Sequence, residues 1–108
     1  FHPEPATPDS VASRGLGDVY KRQATADAYQ INVAPHNYYG HLATLMNVHF
    51  CAAVPNLKIM ETDIDRFVGD AEIFTHAPHI ENGEVEVPDR PGWGTEPNEA
   101  ALAKYPPL

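Results

Sequence analysis

The most regular pattern of apolar positions lies in residues 40–53, GHLATLMNVHFCAA. There Leu42, Leu45, Met46, His49, Phe50 and Ala53 recur at three- and four-residue spacing and form one stripe of a helix. Pro55 and Asn56 stop it. On either side stand two short, largely apolar runs, INVA (31–34) and LKIME (57–61). Runs so brief and so continuous suit strands covered on both faces, as in a parallel sheet, better than a half-exposed hairpin. The order strand, helix, strand predicts a βαβ unit whose two strands point the same way and end at the same edge. ATADAYQ (24–30) reads as the end of a preceding helix.

Beyond residue 61 the pattern weakens. TDIDRFVGD (62–70) holds at most a helical turn, and HIENGEVEVP (79–88) reads as a hairpin turning at Asn82-Gly83, with Val85 and Val87 alternating with glutamates. RPGWGTEPNEAALAKYPP (90–107) predicts a glycine- and proline-rich loop, then a short helix with Asn98 near its start and Lys104 near its end. No segment repeats. Before residue 24 the chain has proline, serine and glycine punctuation without an apolar period. DVYKRQ (18–23) is also the translation of GAT-GTG-TAT-AAG-AGA-CAG, a transposon end used in preparing sequencing libraries. Residues 1–23 are therefore expected to be an unstructured, non-native tail, and residues 24–108 the folded part.

Composition narrows the possible roles. A chain of 108 residues has room for one modest domain and none for a complete barrel. A net charge of −8 argues against nucleic acid and against anionic membrane surfaces as partners. No apolar run approaches the roughly 20 residues of a membrane span, and no signal-peptide pattern is present. Cys51 is the single cysteine, which implies no disulfide framework and a cytoplasmic setting, with the thiol on a buried helix face.

Both predicted strands end in residues able to do chemistry. INVA runs into Pro35 and His36, and LKIME ends in Glu61. In α/β folds the carboxyl edge of a parallel sheet is where sites are built, and histidine is the side chain best tuned for proton transfer near neutral pH. Structural readings stand beside these: His36 could cap the following helix or lie in an open loop, and Glu61 could be an ordinary strand-terminal charge. His49 falls on the apolar stripe and reads as a packed histidine, His41 as part of the helix start, and Trp93 as packing. The carboxylates of 63–70 read as a solvated face. Six histidines, including His76 and His79 in HAPH, raise the alternative of a small metal module. The spacing opposes it, because there is no CxxC, His36 and His41 are off one helical face, and Pro78 stiffens the close pair.

VAPHN (33–37), HFCAAVPN (49–56), IME (59–61) and ENGEVEVPDRPGWGTEPNEAAL (81–102), in that order, resemble the C-terminal end of the mandelate racemase and muconate lactonizing branch of the enolase superfamily. The resemblance covers residues 24–108. It implies an α/β chain that is the C-terminal fragment of a modified (β/α)8 TIM barrel: strand 7, helix 7, strand 8 and a C-terminal extension. It further implies Mg²⁺ as cofactor, with its carboxylate ligands in upstream sequence and no metal ligand in this chain. The reaction is removal of the proton α to a carboxylate, with His36 as general base or as the acid that protonates a leaving hydroxyl. Glu61 matches a carboxyl that donates to the substrate carboxylate, a role that needs it at least partly protonated. Asn37, Tyr38 and Asp63 are placed as substrate-binding residues. The expected parent is an acid-sugar dehydratase, acting on a small carboxylate as a homo-oligomer; a racemase, a cycloisomerase or a non-catalytic acidic interaction domain are the alternatives.

Overall fold

The computed structural model describes residues 15–63 and 70–105. Helix α1 (Gly15–Ala28) opens the described chain, followed by α2 (His41–Ala53), α3 (Asp70–Ile73), a hairpin of β1 (Ile80–Glu81) and β2 (Glu84–Val85), and α4 (Glu99–Leu102). Among the described residues no helix is long and apolar enough to cross a membrane.

Helix α1 ends without glycine. Ile31 N–H reaches back to the Ala26 carbonyl (2.9 Å) and Gln30 N–H to that of Asp27 (2.8 Å), with Gln30 in the left-handed region at φ 57°. This paired closure satisfies two of the last helical carbonyls and turns the chain into the 31–34 segment. That segment pairs in parallel with 57–61 at Val33 and Leu57. Val33 N–H donates to Asn56 O (2.8 Å) and Lys58 N–H to Val33 O (2.9 Å), with a longer contact from Glu61 N–H to Pro35 O (3.4 Å). The strand, helix, strand order is therefore present, with the strands reduced to a single bridge.

Two expectations need correction here. The first concerns residues 1–23: residues 1–14 lie outside the described residues, but 15–23 form the first turns of α1. Gln23 is 8% exposed and its amide donates to Asn56 Oδ1 at 2.7 Å, while the Tyr20 ring meets Phe50 edge-on at 5.3 Å. Among its described side chains, Gln23 and Tyr20 tie the segment to the rest of the fold by a polar contact and a ring contact, which no apolar period records. The second concerns the stripe of α2. The buried positions are His41, Thr44, Leu45, Val48 and Phe50, whereas Leu42, Met46 and His49 are half-buried and Ala53 is exposed. The helix is turned by about one residue because Thr44 faces the buried polar group of Asn37, a demand no hydrophobic pattern records. Cys51 is likewise half-buried.

The hairpin turns at Asn82-Gly83, both left-handed (φ 52° and 80°), the two-residue turn that matches strand twist. In α4 the Asn98 side chain accepts from Ala101 N–H at 3.3 Å as the helix cap. Its Nδ2 donates to Glu72 O (3.1 Å) and its backbone N–H to Ile73 O (2.8 Å), so one residue ties α4 to α3. Phe74 bridges Pro97 beside it. Of 62–70, α3 takes up Asp70, and 64–69 lie outside the described residues. Trp93 packs against His49, ring centroids 5.7 Å apart.

Candidate active site

The parallel bridge brings the two strand ends to one edge, and with them His36 and Glu61. His36 Nδ1 stands 2.5 Å from Glu61 Oε2, both side chains being partly open to solvent. The same oxygen accepts the backbone N–H of Asn37 at 2.8 Å. Glu61 therefore titrates below its ordinary carboxylate value, chiefly because of the Asn37 N–H and then because of His36. A carboxylate on Nδ1 fixes the proton there, which leaves Nε2 of the neutral ring as the nitrogen able to take a proton. A Glu61 that titrates below its ordinary value differs from the partly protonated donor that the family resemblance implies, since both donors, His36 and the Asn37 N–H, engage Oε2.

Asn37, expected to meet substrate, is fully buried. Its Nδ2 donates to Glu61 O and to Thr44 Oγ1, both at 3.1 Å, and its Oδ1 accepts from Asn47 Nδ2 at 3.1 Å. Tyr38 is 56% exposed and stands open at the same edge, and Asp63 is half-buried two residues beyond Glu61. Tyr39 was missed by the sequence reading; its ring meets His36 edge-on with centroids 5.7 Å apart. So were Thr44 and Asn47. Their signal was present as two polar residues on one side of an otherwise apolar helix.

A separate cavity of about 430 Å³ lies between α2, the 57–62 segment and the hairpin, lined by Val48, Cys51, Leu57, Met60, Ile80 and Val85 among others. Neither His36 nor Glu61 borders it; its mostly apolar lining also includes Lys58, Thr62, Glu84 and the Cys51 thiol. Burial pushes that thiol up to about 11, which keeps it protonated and unreactive at neutral pH.

Among the described residues no group of three or more His, Cys, Asp or Glu could hold a metal ion. Mg²⁺ needs several hard oxygens in near-octahedral array, and one carboxylate beside an imidazole does not fit that requirement.

A short parallel strand, helix, strand unit with an imidazole and a carboxylate at its carboxyl edge places the chain in the α/β class. The chain belongs to the enolase C-terminal domain-like family, whose sequence model matches residues 6–101. It is similar to a candidate L-alanine-DL-glutamate epimerase from Burkholderia xenovorans strain LB400, solved with magnesium and fumarate. The two are 60% identical over 87% of this chain and 23% of that one, with a TM-score of 0.80. It is also similar to a D-xylonate dehydratase of Haloferax volcanii, 30% identical over 81% of this chain. A D-gluconate dehydratase of Thermoproteus tenax is 31% identical over 91% of it. The chain spans about a fifth of the length of these curated relatives.

Proposed function

We propose that this chain supplies part of the active site of an enzyme that removes the proton α to the carboxylate of a sugar acid and eliminates water. On this reading, 31–34 and 57–61 are the seventh and eighth strands of the parent barrel, and the remaining strands, the capping domain and the Mg²⁺ ligands belong to sequence outside this chain. The observation that carries it is the His36–Glu61 contact at the shared strand edge, in a chain whose curated relatives are sugar-acid dehydratases.

Within that site the residues divide the work. A proton on carbon is a weak acid, so the group that moves it must be fixed in place and titrate near the working pH. Glu61 orients the imidazole through Nδ1, and His36 Nε2 either takes the α proton or delivers one to the departing β-hydroxyl. Tyr38 and Tyr39 present hydroxyls that suit a polyhydroxylated substrate, and Asp63 stands beside Glu61 as a further polar contact.

Replacing His36 with Asn in the whole enzyme keeps polarity and removes the titratable nitrogen. kcat is expected to fall at least about 10²-fold. Glu61→Gln keeps an acceptor for Nδ1 and costs less than Glu61→Ala. The assay is formation of the 2-keto-3-deoxy acid from D-gluconate or D-xylonate, and full activity in His36→Asn removes the assignment. The likeness to an epimerase favours a second reading, α-proton exchange without loss of water. Exchange of the α proton of a dipeptide in D₂O without elimination from either sugar acid would select it.

A further inference from the structure

We propose that Thr44 and Asn47 are positioning residues: from α2 they lock the buried Asn37, and through it hold the Glu61 carboxylate against His36. The inference rests on the reading of His36 and Glu61 as the reacting pair. It goes further by assigning the geometry of that pair to two polar residues of α2.

The bonding leaves little freedom. Asn37 is wholly buried, and so is Thr44. Thr44 gives its hydroxyl proton to the Gly40 carbonyl at 3.2 Å, so toward Asn37 it can act only as an acceptor, and Asn37 Nδ2 supplies the donor at 3.1 Å. The other Nδ2 hydrogen goes to the Glu61 carbonyl, 3.1 Å away, so turning the amide over would set two oxygens face to face at that point. Asn47 Nδ2 closes the remaining position on Oδ1. The amide is thus oriented by three partners, two from α2 and one from the end of the second strand. The backbone N–H that holds Glu61 Oε2 belongs to this same residue, 24 positions away from its acceptor. Orientation set at Thr44 and Asn47 is passed to the direction of that N–H and so to where the carboxylate meets the imidazole. A buried asparagine needed only to fill space would be replaceable by an apolar residue, and each of its polar atoms would be a liability in such a place.

Asn37→Ala strips a partner from three polar groups and can unfold the chain, so the test uses its supports. Thr44→Val preserves shape and removes the acceptor, Thr44→Ser preserves the acceptor and removes the methyl, and Asn47→Ala removes the third contact. The readout is the titration of the Glu61 carboxyl in the full 108-residue chain, by carbon-13 NMR with labelled glutamate side chains, the signal being identified by its loss in Glu61→Gln. Thr44→Val and Asn47→Ala are expected to move the midpoint upward toward the ordinary carboxylate value, and Thr44→Ser to leave it where it is in the parent chain. An unchanged midpoint in Thr44→Val and Asn47→Ala overturns the proposal. So does an equal shift in Thr44→Ser, which would mark the effect as packing. Because the titration needs no turnover, its failure is distinct from failure of the dehydratase reading, which the His36→Asn assay decides.

Discussion

Asn56 is the residue whose loss is expected to cost this fold most through polar contacts alone. It is 8% exposed, as is Gln23. Its Oδ1 accepts from Gln23 Nε2 at 2.7 Å, its Nδ2 donates to Ile31 O at 2.9 Å, and a longer contact at 3.4 Å reaches Gln23 O. The 3.4 Å contact is near the limit of a hydrogen bond and adds little. The two short bonds are worth about 1 kcal/mol each, and truncation leaves the buried Gln23 amide and the partly buried Ile31 carbonyl without these partners, so Asn56→Ala should destabilise by about 2–3 kcal/mol. Gln23→Ala and the double variant complete a cycle whose coupling should be about 1 kcal/mol. The assay is urea unfolding of the four chains followed by circular dichroism, which reports α1 and α2 together. A loss below about 0.5 kcal/mol in Asn56→Ala, the scatter of ordinary surface changes, would refute the reasoning. The same contact means that deleting residues 1–23 removes the Gln23 partner and destabilises the remainder, contrary to what their composition suggests.

Other outcomes follow from single features. Cys51, with its thiol pushed up to about 11, should react slowly with iodoacetamide in the native chain. At pH 8 about one part in a thousand is thiolate, against about a quarter for an ordinary cysteine, so unfolding in urea should speed labelling at least about a hundredfold. Glu61 is held below its ordinary value, so its contribution to stability is present above that value and is lost as pH falls through the lowered one. Glu61→Gln should remove that part of the acid dependence in pH-stepped melts. Gly94 has φ 82° and a Cβ placed there would overlap the Pro88 ring, so Gly94→Ala should cost more than Gly83→Ala, which also has positive φ but faces open space. Thermal melts of the two variants compare them directly.

How far the sequence spoke depends on which force acts where. The α2 helix, the short apolar runs on either side of it and the Asn82-Gly83 turn are written in side-chain pattern and in backbone conformation, and both are local. The pairing of Val33 with Leu57 followed from that order, and with it the meeting of His36 and Glu61. What escaped was carried by polar side chains acting across the chain. Gln23 and Asn56 are 33 residues apart and nothing in either neighbourhood advertises the other. Asn37 looked like a substrate contact because it follows His36 at a strand edge, yet backbone direction turns its amide inward to Thr44 and Asn47. The end of α1 was legible in ATADAYQ, although Gln30 rather than glycine occupies the left-handed position.

The clamp between Gln23 and Asn56 also has a consequence for the chain during its synthesis. Residues 33 and 57 are separated mainly by α2, which can form from its own turns, so their pairing follows quickly once both have emerged. Helix α1 has local support of its own in the Asp18–Arg22 pair, but its buried Gln23 amide waits for an acceptor 33 residues further on. At a translation rate of about 5–20 residues per second, that interval lasts roughly 2–7 s. Until Phe50 emerges, shortly before Asn56, the Tyr20 face of α1 stays open to whatever chaperone or neighbouring nascent chain meets it first.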